Sequence, residues 1–132
     1  MKQIDHIGIA VESIAKTLPF YTDVLKFTYL KTEIVESEKV KVAFIDCGNC
    51  KIELLEPLSN ESPIAKFLAK KGEGIHHIAI KTADILGDIR FLTDHNVKMI
   101  NETPKRGAGG ANIAFLHPKS TQGVLMELCE KE

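Results

Sequence analysis

Four residues stand out for the chemistry they can do: His6, Glu53, His77 and Glu127. Two neutral imidazoles and two carboxylates make a mixed nitrogen and oxygen donor set. Such a set suits a divalent ion such as Zn, Co, Mn or Ni and leaves room for water or substrate. The spacing repeats along the chain. His77 lies 71 residues after His6, and Glu127 lies 74 residues after Glu53. The neighbours repeat as well. Residues 5–10 (DHIGIA) match 76–81 (HHIAIK), and 53–56 (ELLE) match 127–130 (ELCE). Repetition at nearly one offset outranks local propensity as a signal of fold.

The elements that must position these residues follow from hydrophobic periodicity. Residues 3–11 alternate, with Ile7, Ile9 and Val11 on one face and His6, Gly8 and Ala10 on the other. Ser13 reads as the N-cap of a helix over 14–25, whose stripe is Ile14, Leu18, Tyr21, Val24 and Leu25. Pro19 lies inside that stripe and should end, bend or delay the helix. Strands are expected at about 28–36, 40–46 and 51–56. A connecting helix is expected over 62–72, with Ser62 as N-cap, Pro63 at its first position and Gly72 as its stop. The pattern then begins again: strand 75–81, helix 83–95, and strands at about 97–101, 112–116 and 123–129.

The expected class is therefore α+β. Two tandem βαβββ modules, about 1–57 and 74–132, would form one domain with a cupped mixed sheet around a metal site. The small residues Gly8, Ala10 and Ala79 share faces with the histidines and leave space there. The large aliphatic residues of the opposite faces would pack on the helices. A carboxylate such as Glu127 in an apolar final strand needs a partner, since an unpaired buried charge costs several kcal/mol. A metal satisfies all four groups together.

Composition excludes other classes. The chain has 132 residues, 44% hydrophobic and 27% charged, with a net charge of −1. That balance gives no basic surface for nucleic acid or anionic lipid. No apolar run approaches the ~18 residues of a membrane span. The N-terminal residues enter a strand pattern without the apolar core of a signal peptide, so the cytoplasm is the expected location. Cys47 and Cys50 form a C-x-x-C, but Gly48-Asn49 between two strand patterns reads as a hairpin turn. A structural zinc site would need a second pair of ligands. His76 should face the helices, and His95 should end a helix. The Lys70-Lys71 pair reads as a solvated helix end.

Paired βαβββ modules carrying His, Glu, His, Glu resemble the vicinal oxygen chelate superfamily, which includes glyoxalase I and extradiol dioxygenases. Within it the chain is most similar to the methylmalonyl-CoA epimerases. The resemblance rests on residues 5–11 (DHIGIAV), 52–80 (IELLEPLSNESPIAKFLAKKGEGIHHIAI) and 107–128 (GAGGANIAFLHPKSTQGVLMEL). The turn His117-Pro118-Lys119-Ser120 separates it from glyoxalase I, where an acidic turn is usual.

The resemblance implies a divalent metal held by His6, Glu53, His77 and Glu127 of one chain, and often a homodimer. It implies an acyl-CoA thioester substrate whose oxygens chelate the metal. The reaction would be α-proton abstraction through a metal-stabilised enolate. Glu127 would be ligand and base. Some of these epimerases carry a second base glutamate on the third strand of the first module, but residues 40–45 (VKVAFI) contain no carboxylate. Glu53 is then the candidate for the second base, with a metal-held water as its rival. Lys26 stands where a glycine is common, so a positive φ is expected there. Lys105 and Arg106, in the glycine-rich loop 103–111, are candidates to meet coenzyme A phosphates, against the plainer reading of a surface loop. The alternative activity is a glyoxalase I-type lyase acting on a hemithioacetal with the same ligands.

Overall fold

The computed structural model describes residues 1–131. Glu132, the last residue of the expected second module, lies outside the described residues. The chain divides into two compact units. One is His6–His76, and the other is Met1–Asp5 together with the chain from His77 onward.

In the unit from His6 to His76, β1 (Gln3–Ala10) runs parallel to β4 (Lys51–Pro57). The pair is in register at His6–Lys51, Gly8–Glu53 and Ala10–Leu55. β3 (Val40–Asp46) lies antiparallel to β4, and β2 (Thr28–Val35) lies antiparallel to β3. The alternation read from sequence is what packs this sheet. Val11, Ile14, Ala43, Ile45 and Leu54 form the buried cluster, joined by Ile9, Leu18 and Ile52. Helix α1 (Ile14–Pro19) supplies Ile14 and Leu18 to it. Its start is held twice: Ser13 Oγ accepts from the Lys16 N–H, and Glu56 Oε1 accepts from the Ile14 N–H at 2.7 Å.

Pro19 acts as expected. The α-helix stops there and a wider π-type turn, Phe20–Val24, continues it. The Leu25 N–H reaches back five residues to the Phe20 carbonyl. Lys26 then adopts φ 64°, the left-handed conformation. Helix α2 (Pro63–Lys71) begins at Ser62, which is fully buried. The Ser62 hydroxyl accepts from the Ile64 N–H and donates to the Glu38 carbonyl.

The other unit repeats the pattern. β5 (Gly74–Lys81) contributes from His77 onward and runs parallel to β8 (Met126–Glu130), with Ala79 opposite Glu127. β7 (Asn112–Leu116) is antiparallel to β8. Helix α3 (Ile85–Asp94) packs Ile85 and Ile89 against Met99, Ala114, Leu116 and Leu128.

The strand expected at 97–101 does not form. Met99 makes one isolated bridge to Leu116. Asn101 explains the break, because its side-chain oxygen takes the Phe115 N–H at 2.9 Å. The edge strand is instead β6 (Lys105–Arg106), paired with Asn112 and Ile113. The glycine-rich loop 103–111 is thus tied to the sheet. Arg106 Nη1 donates to the Gly110 carbonyl, and a Cβ at Gly107 would come within 2.7 Å of Ile113 Cδ1. A larger residue there would require the Ile113 side chain to move.

Candidate metal-ligating pairs

Each unit brings one histidine and one glutamate together by the same construction. On β1 and β4, Glu53 is directly opposite Gly8, and His6 is two residues before Gly8 on the same face. Gly8 is small, as is Ala79 in the matching place of the other unit, so the two longer groups can meet beside it. His6 Nδ1 lies 3.2 Å from Glu53 Oε2, and both side chains are 4% exposed. On β5 and β8, Glu127 is opposite Ala79, and His77 is two residues before Ala79. His77 Nε2 lies 3.6 Å from Glu127 Oε1, with exposures of 7% and 5%.

The repeat extends to the third strand of each unit. Glu53 faces Phe44 across β3 and β4, and Glu127 faces Phe115 across β7 and β8. The Phe115 ring meets the His77 ring edge to face at 5.7 Å. Each carboxylate therefore has an aromatic ring on one flank and an imidazole on the other. Periodicity within one strand does not reveal these phenylalanines. Their common distance of 71 residues was the available signal.

The donor chemistry fits a divalent ion. A separation of 3.6 Å is too long for an N–H···O hydrogen bond. Two donors each ~2.1 Å from one ion, at tetrahedral or octahedral angles, would lie about 3 to 3.5 Å apart. Both pairs are close to that spacing and shielded from water. Their carboxylates would be costly at such burial without a compensating charge.

The remaining histidines have structural roles. His76 packs edge to face on Phe67 of α2 at 5.1 Å. Its pKa is lowered by burial and, secondarily, by the positive charge of Lys71. His95 follows α3, and its Nδ1 lies 2.8 Å from the Phe91 carbonyl. His117 Nδ1 accepts from the Lys119 N–H, and Ser120 Oγ accepts from the Lys98 N–H. The 117–120 turn is therefore organised by its own side chains.

A second buried ionic group lies next to His6 in sequence. Asp5 is paired with Lys131 at 3.0 Å, and the Cys129 thiol donates to its carboxylate at 3.7 Å. In the sequence Asp5 is marked only by its place in the repeat. Among the described residues, no helix is long and apolar enough to cross a membrane.

Residues 5–115 match the family model described as the glyoxalase/bleomycin resistance protein/dioxygenase superfamily. The mitochondrial methylmalonyl-CoA epimerase of Homo sapiens is 39% identical over 127 residues, covering 96% of this chain and 72% of that protein. The crystal structure of methylmalonyl-CoA epimerase from Mycobacterium tuberculosis superposes with a TM-score of 0.94 at 35% identity, covering 98% of this chain and 88% of the other. A Streptomyces coelicolor methylmalonyl-CoA epimerase variant, solved with 2-nitronate-propionyl-CoA, gives a TM-score of 0.91 at 41% identity, with 98% and 94% covered. The α+β architecture is the vicinal oxygen chelate fold of these structures, and the chain belongs to the glyoxalase/bleomycin resistance protein/dioxygenase superfamily.

Proposed function

We propose that this chain epimerises methylmalonyl-CoA and that His6, Glu53, His77 and Glu127 hold one divalent metal for that purpose. The observation that carries the reading is the duplicated pair: a buried imidazole and a buried carboxylate, placed by the same strand register in each unit. Near-full-length similarity to methylmalonyl-CoA epimerases supports the substrate.

The chemistry follows from the substrate. The α-carbon of a malonyl thioester lies between two carbonyl groups, so loss of its proton leaves a charge that oxygen can carry. A bound divalent ion would supply Lewis-acid stabilisation of that oxygen charge. Glu127 is assigned the removal of the α-proton on one face. Glu53 is assigned its return on the other, since β3 offers no carboxylate between Val40 and Ile45. The phenylalanines Phe44 and Phe115 flank these carboxylates and keep water from competing as the proton source. In this reading the protein acts in the cytoplasm as a homodimer.

The test is hydrogen exchange at the α-carbon. One epimer of methylmalonyl-CoA, incubated with metal-loaded protein in deuterated water, should yield the other epimer with deuterium at that carbon. Absence of exchange with metal bound overturns the reading. Turnover of the methylglyoxal–glutathione hemithioacetal in place of exchange would assign the glyoxalase I type of lyase.

A further inference from the structure

We propose that Cys47 and Cys50 form a reversible disulfide at the tip of the β3–β4 hairpin, by exchange with a low-molecular-weight disulfide. The two sulfurs already lie 3.5 Å apart. They flank a two-residue turn, Gly48-Asn49, and the backbone holds them there. The Cys47 N–H donates to the Cys50 carbonyl at 3.1 Å. Gly48 takes φ 100°, and its N–H is held by Asp46 Oδ1 at 2.8 Å. The two residues lie one step beyond the Asp46–Lys51 pair of β3 and β4, and facing Cα atoms of an antiparallel ladder are about 4.5 to 5.5 Å apart. Those values lie inside the range a disulfide spans. Closing the bond therefore needs side-chain rotation and little backbone movement.

Three further observations favour this chemistry. Both thiols are partly exposed, whereas Cys129 is buried at 1%. The Cys47 thiol donates to the Cys50 carbonyl at 2.9 Å, so its sulfur is kept turned toward its neighbour. Among the described residues, Cys47 and Cys50 belong to no group of three or more metal-ligating side chains. A ring this small constrains the unfolded chain little, so the disulfide gains little stability and is readily reduced again.

The step balances as two exchanges. One protein thiolate attacks a sulfur of the small disulfide and expels one small thiolate. The second protein thiolate then attacks the protein sulfur of the mixed disulfide and expels the other. One sulfur–sulfur bond forms and one breaks. The two protein thiols are oxidised, the small disulfide is reduced to two thiols, and these take up the two protons.

The experiment uses the full chain with glutathione disulfide as probe, read by intact mass and peptide mapping. The expected product is lighter by about 2 Da, carries a Cys47–Cys50 link and no glutathione. Dithiothreitol should restore both thiols to alkylation. Cys47→Ser and Cys50→Ser should each instead accumulate a glutathione adduct on the remaining cysteine. A stable adduct on the unaltered chain, a link to Cys129 or to a second chain, or two thiols that stay alkylatable would each overturn the proposal.

Discussion

His6 and Glu53 approach to 3.2 Å although neither faces the other in the strand register. Glu53 is opposite Gly8, and His6 is two residues before Gly8 on the same face. A large side chain at position 8 would stand beside both groups. Gly8→Ala should be mild, because Ala79 holds the matching place opposite Glu127. Gly8→Leu should lower folding stability by about 1–3 kcal/mol, the usual range for overpacking, and weaken metal binding more than Gly8→Ala does. Titration of the apo-protein with Co(II) or Zn(II) checks the order of the two variants.

Glu127→Gln removes the proposed base and keeps the shape of the side chain. Turnover should fall about 10²- to 10⁴-fold. Metal content, read by elemental analysis, should fall much less. Near-normal turnover would remove Glu127 from the proton transfer. His77→Ala should behave differently and lose metal and turnover together.

Lys26 sits at φ 64° just after the first helical segment, a position that suits glycine. Lys26→Gly should raise stability by about 1 kcal/mol, seen as a higher urea midpoint with unchanged m-value. A lower midpoint would mean that Lys26 makes a compensating contact.

Ser62 is buried and serves two partners, the Ile64 N–H and the Glu38 carbonyl. Ser62→Ala should cost about 1–2 kcal/mol through the lost cap. Thermal unfolding measures it, and Ser62→Thr should recover part of the loss if its methyl group is tolerated.

Burial, aided by Lys71, lowers the pKa of His76 below its ordinary 6.5. The unfolded chain then binds the proton more readily than the folded one. His76 therefore costs no stability above about pH 6.5, and stability falls as pH drops from there toward the lowered folded value. Unfolding midpoints measured from pH 7 to pH 5 should decline less steeply in His76→Gln than in the parent. Equal slopes would show that the ring stays accessible to protons.

The four candidate ligands were legible because strand alternation is short-range. Once Ile7 and Ile9 are assigned to the helix-facing side, His6 must face away, and the same holds for His77 beside Ile78 and Ile80. Phe44 and Phe115 were not legible in that way. Their position depends on which residue of a neighbouring antiparallel strand stands opposite, and periodicity within one strand says nothing of that. The failed strand at 97–101 has a similar cause. Its composition suits a strand, but a single side-chain oxygen on Asn101 takes a ladder donor. Lys105 and Arg106 were read as loop residues because the pairing that orders them is made by Asn112 and Ile113.

The two imidazoles present different nitrogens to their carboxylates, Nδ1 in His6 and Nε2 in His77. The strand register beneath the rings is nevertheless the same, with Gly8 and Ala79 in matching places opposite the two carboxylates. Duplication has therefore preserved the backbone framework more closely than the side-chain orientations set upon it.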